Sequence, residues 1–66
     1  MNNFTVAYIK ALVLNHFKGD TDKVKLWLNT PNPNLGEVSP NKMIELGREH
    51  KLLQFVQAQI KENLRA

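Results

Sequence analysis

Apolar residues recur along this chain at three- and four-residue spacing, the period of helices packed on one face. Val6, Ile9, Val13 and Phe17 form such a face and predict a first helix over residues 5–17, with Gly19 placed to end it. Phe4, Tyr8 and Leu12 make a second stripe displaced around the same helix, and Ala7 and Ala11 leave a further flank small. A helix apolar on more than one side is normally covered on more than one side. Asp20 is a good N-cap for a second helix that runs to about Asn29, with Asp22 in its first turn. Val24, Trp27 and Leu28 share the inner face of that helix, Leu26 points away from them, and Trp27 is the expected keystone of the core. Ser39 caps and Pro40 opens a short third helix that carries Met43, Ile44 and Leu46 and stops near Gly47. A fourth helix, from about Arg48 to Leu64, places Leu53, Val56, Ile60 and Leu64 on its main face, supported by Leu52 and Phe55. No run alternates with period two for long enough to make a strand. The predicted fold is therefore all-α: one domain over residues 1–66, a small bundle of four helices with one of them short.

Between the second and third helices lies WLNTPNPNLGEVSP, Trp27–Pro40, where the residues look chosen one by one. Pro31 and Pro33 fix their own φ and push Thr30 and Asn32 out of the α region. Asn32 and Asn34 suit turns because their amides bond nearby backbone, and Gly36 takes positive φ without strain. Leu35, the large apolar residue inside the loop, is expected to plug it onto the core close to Trp27.

Sixty-six residues bury only about 60% of the surface the unfolded chain exposes, so stability is marginal without some aid. There is no cysteine, which excludes disulfides and thiolate zinc sites. His16 and His50 are too far apart to form a local metal motif. Self-association or a partner is the remaining aid. No run approaches the roughly 20 apolar residues of a membrane span. The apolar start has no basic lead-in and no small-residue cleavage site, which predicts a mature helix of a cytoplasmic protein. The net charge of +3 comes from nine basic residues scattered among six acids, so no basic stripe for nucleic acid emerges.

Motifs for chemistry are missing. Glu49 and His50 adjoin, but no second ligand follows at helical spacing as in H-E-x-x-H. There is no G-x-S-x-G elbow and no glycine-rich phosphate loop. Asp20 and Asp22 read as helix capping rather than a cation site. No enzyme activity, cofactor or metal is expected.

The run FKGDTDKVKLWLNTPNPNLGEVSP, Phe17 to Pro40, resembles the signature of the toxin-binding domain of Xre/MbcA/ParS-like antitoxins. The matching positions are Phe17, Gly19, Asp20, Trp27, Leu28, Thr30, Pro31, Asn32, Pro33, Leu35, Gly36 and Pro40. Gly47, Leu53, Val56 and Ile60 look like the glycine and periodic helix that follow in the family, so the resemblance covers about residues 12–64. Four positions depart from it. Lys18 intrudes between Phe17 and Gly19, Val24 stands where alanine is common, and Glu37 and Glu49 replace glycines. The N-terminal helix-turn-helix region usual in the family has no counterpart here, so autoregulation on DNA is not implied.

The resemblance implies a bacterial or phage binding module of a type II toxin-antitoxin system. Its partner would be a cognate RES-domain toxin, an enzyme that consumes NAD, whose active-site cleft the domain covers. The obstructing element would be the end of the last helix, Lys61, Asn63, Leu64, Arg65 and Ala66. The competing expectation is a stand-alone self-associating domain, a homodimer through Phe4, Tyr8 and Leu12, that kept the fold without a toxin partner.

Overall fold

A computed structural model describes the backbone of residues 3–65 and the side chains of residues 4–62. Four helices follow one another: α1 (Asn3–His16), α2 (Thr21–Asn29), α3 (Pro40–Glu45) and α4 (Glu49–Arg65), with a 3₁₀ turn at Pro33–Leu35. No strand occurs among the described residues, only an isolated antiparallel bridge between Asn32 and Val38. The fold is all-α, as the spacing of apolar residues predicts.

The packing follows from one buried pair of faces. Ile9 of α1 and Leu52 of α4 are fully buried, flanked by Val13 and Val56. Val24 and Leu28 of α2 and Met43 of α3 close the same cluster, and Pro40 is fully buried beside them. Fully burying one such aliphatic side chain stabilises by about 1.5–3 kcal/mol. The Cα radius of gyration, 11.2 Å, is close to the ~11 Å expected of a compact chain this long.

Four expectations shift. The innermost residue of α4 is Leu52, with Leu53 half-buried, so the buried face keeps Val56 but is turned by roughly 50° from the predicted one. Trp27 is half-buried at the edge of the core, where its ring lines a cleft that no described side chain fills. Leu35 packs against the core, but in a different hollow from Trp27; Phe55 lines both. Leu46 is 50% exposed: it sits at the last position before the chain reverses at Gly47 and cannot share the inner face of α3.

Helix starts are fixed by side chains. The Asp20 carboxylate accepts from the Lys23 N–H at 3.2 Å, and the Ser39 hydroxyl accepts from the Lys42 N–H at 3.1 Å. Two helix ends share one device, the Schellman motif, in which the chain turns through a left-handed residue. At the end of α3, Gly47 (φ 76°) donates to the Ile44 carbonyl and Arg48 to that of Met43. At the end of α1, Lys18 donates to Asn15 and Gly19 to Leu14, and the left-handed position is Lys18 (φ 57°). Gly19, expected as the helix-ending glycine, comes one residue later, also at positive φ (82°).

Candidate protein-binding surfaces

The loop is organised around Asn32. Its side-chain oxygen accepts from the Asn34 N–H at 2.9 Å, and its carbonyl accepts from the N–H groups of Leu35 (2.9 Å) and Glu37 (3.0 Å). Its own N–H donates to the Val38 carbonyl at 3.2 Å, which pins the two ends of the turn together. Pro33 opens the 3₁₀ turn and Gly36 (φ 75°) ends it, donating to the Pro33 carbonyl. Glu37 (φ 65°) then continues in the left-handed region despite its side chain. Thr30 is extended, as the following Pro31 requires, and its hydroxyl donates to the Leu26 carbonyl. Across the loop's mouth the Asn41 amide donates to the Asn29 amide oxygen at 2.8 Å, tying α3 to the end of α2.

The loop borders a shallow groove. Leu35, Met43 and Phe55 form its apolar floor, and Asn34, Arg48, Lys51 and Gln54 its polar rim. Arg48 and Lys51 are exposed and make no ion pair with any described residue. A second, narrower cleft of about 120 Å³ opens where α1, α2 and α4 meet. Trp27, Phe17 and Phe55 supply its aromatic walls, Val13, Val56 and Ile60 its base, and His16 and Gln59 its polar rim. The His16 and Phe17 rings meet edge to face with centroids 5.3 Å apart. That volume is below the ~300 Å³ at which small-molecule sites begin, and suits a single apolar side chain.

The outer face of α1 is the third surface. At about 100° per residue, Phe4, Ala7, Tyr8, Ala11 and Leu14 fall within a sector of about 120°, opposite the buried Ile9. All five are exposed, Phe4 at 89%, Tyr8 at 50% and Leu14 at 36%. Leu12, expected beside Phe4 and Tyr8, turns toward the core and packs on it. Leu14 takes its place in the stripe. It carries the signal that would have found it, lying three residues from Ala11 and seven from Ala7.

The remaining expected site residues are dispersed. Lys61 is exposed near the end of α4; Asn63, Leu64 and Arg65 continue its helical backbone, while their side chains and Ala66 lie outside the described residues. Leu28 and Pro40 are core; Thr30, Pro31, Pro33 and Gly36 are exposed in the loop. No group of three or more His, Asp or Glu residues that could hold a metal ion occurs among the described residues. No described helix is long and apolar enough to cross a membrane. One carboxyl group is buried where residue type alone does not place it. Glu49 opens α4 at 6% exposure, and its Oε2 has no hydrogen-bond partner. Its place three residues before Leu52 and seven before Val56 puts it on the buried face.

Comparison with models of protein families, with curated proteins and with solved structures finds no match to this chain.

Proposed function

We propose that the chain is a cytoplasmic binding module that neutralises an NAD-consuming toxin of the RES type by covering its active-site cleft. The observation that carries the reading is the ordered run from Phe17 to Pro40. Its members have separate conformational duties: Asp20 caps α2, Asn32 gathers the loop, Gly36 takes the left-handed turn and Ser39-Pro40 starts α3. So many matching positions with distinct roles are poorly explained by helical composition alone. In this reading the helical body and the rigid loop give affinity. The end of α4, Lys61 to Ala66, reaches the cleft and blocks it with basic groups suited to a dinucleotide site. No residue of the module performs chemistry.

The test pairs two readouts, binding to a RES-type toxin and NAD turnover by that toxin. The intact chain is expected to bind and to stop turnover. A chain lacking Asn63–Ala66 should bind within about tenfold of the parent yet leave turnover running. Affinity resides in a few large buried contacts, and a helix end of four residues adds little to it. Full inhibition by the shortened chain moves the blocking role to the helical body. No binding by the intact chain removes the toxin reading.

A further inference from the structure

We infer that the outer face of α1 is a self-recognition surface on which a second copy of this chain docks with its own α1 running antiparallel. The inference is independent of the toxin reading, since it concerns the side of α1 turned away from α4.

The stripe holds more apolar surface than the fold explains. Phe4, Ala7, Tyr8, Ala11 and Leu14 are all exposed, and between them they carry no charge. Exposed apolar residues scattered singly are ordinary, whereas a contiguous patch rimmed by polar groups marks an interaction site. Here the rim is Lys10 and Asn15. At these exposures and usual side-chain sizes each copy offers roughly 450 Å², so a pair buries about 900 Å², at the low end of protein–protein contacts. Such an interface predicts a reversible dimer with dissociation in the micromolar range rather than an obligate one.

The order of residues along the stripe selects the antiparallel arrangement. Large side chains stand at its ends, Phe4 and Leu14, with the small pair Ala7 and Ala11 between them and Tyr8 along one edge. Both pairs are centred on the level of residue 9. A twofold axis at that level sets Phe4 of one copy against the partner copy's Leu14, and Ala7 against the partner copy's Ala11. The alanines then let the helices approach closely while the large residues close the ends. The same twofold operation makes the patch complementary to itself, as an isologous dimer requires. A parallel pairing instead sets Phe4 on Phe4 and Leu14 on Leu14, so one end of the seam is wider than the other, whereas the antiparallel pairing makes the two ends alike. Charge leaves a signature too. Each chain carries +3, and the two Lys10 side chains fall on the same flank of the pair, so salt screens repulsion and tightens the dimer.

Sedimentation equilibrium across the micromolar to millimolar range, at low and high salt, tests the inference. The parent should pass from monomer to dimer, at lower concentration when salt is raised. Ala11→Glu, at the centre of the stripe, should remain a folded monomer throughout, with circular dichroism confirming its helix content. Ala58→Glu makes the same change at an exposed alanine of α4 and should leave the dimer intact. Phe4→Lys and Leu14→Glu should each weaken self-association about tenfold or more, and their equimolar mixture should recover part of it, because antiparallel pairing brings the new charges together. A parent that stays monomeric at millimolar concentration overturns the inference. So does an Ala11→Glu variant that dimerises like the parent, or an Ala58→Glu variant that does not. A mixture no better than its components overturns the antiparallel arrangement.

Discussion

The loop from Thr30 to Pro40 and the helix α1 use their residues in opposite ways. In the loop, hydrogen bonds, fixed φ angles and one left-handed glycine leave few positions interchangeable, yet little of it is buried. In α1 most positions are apolar, and the core takes up the side of the helix that carries Ile9, Leu12 and Val13, while Phe4, Tyr8 and Leu14 stay exposed. The contrast separates two demands on a small domain. Apolar content sets where a helix can lie and how firmly it is held. Polar and conformational residues set the path between helices, with little effect on how much surface is buried.

The largest break of that contrast comes from the α1–α4 seam. Leu52→Ala removes a fully buried side chain from a packed cluster and should cost about 2–5 kcal/mol. That is comparable to the whole stability expected of a domain of this size. Thermal denaturation followed by circular dichroism should show little or no cooperative transition above room temperature. Phe4→Ala removes a larger side chain from the same helix pair, but from the exposed face. In dilute solution it should move stability by less than about 0.5 kcal/mol. Similar losses from the two would mean that Phe4 is covered within the monomer.

An intermediate effect tests the loop. Asn32→Ala keeps the backbone hydrogen bonds and removes only the side-chain acceptor for the Asn34 N–H. The expected cost is about 1 kcal/mol, the usual loss of a capping side chain. Asn32→Asp retains an acceptor and should recover most of it. Equal losses for both would show that the carboxamide has another duty.

These regions also mark what the sequence made legible. Helix number, order and approximate ends followed from three- and four-residue spacing, and the caps at Asp20 and Ser39 from residue type, because both signals are local. The rotation of α4 that buries Leu52 ahead of Leu53 was not legible. Adjacent leucines serve equally well until the neighbouring helices choose between them. The spacing of Trp27 from Val24 and Leu28 points it inward, and the cleft beside it is a product of how three helices meet. The burial of Glu49 is not legible from residue type, because a carboxylate at a helix start is favourable in solvent too; its register with Leu52 and Val56 places it inside. For the candidate surfaces, the second stripe of α1 is legible as apolar, but whether the fold covers it, and the choice of Leu14 over Leu12, depend on the packed structure.

The smallest effects, and the sharpest, lie at the left-handed turns. Lys18 and Gly47 occupy the same position of the same motif at the ends of α1 and α3, so they form a natural pair of opposite substitutions. A non-glycine residue in the left-handed region is strained by its Cβ, typically by about 1 kcal/mol, partly offset by the greater freedom glycine has when unfolded. Lys18→Gly should therefore stabilise by about 0.5–1 kcal/mol, raising the melting temperature by about 2–8 °C. Gly47→Ala should lower stability by a similar amount. An added Cβ there meets no atom within 4 Å, so backbone conformation alone carries the penalty. Glu37→Gly extends the test to the loop, where Glu37 stands at φ 65° without the helix end that constrains Lys18. A gain at Lys18 with none at Glu37 would show that the loop relaxes around its strained residue while the helix end cannot. Losses at both would mean that the two side chains contribute contacts outweighing their strain.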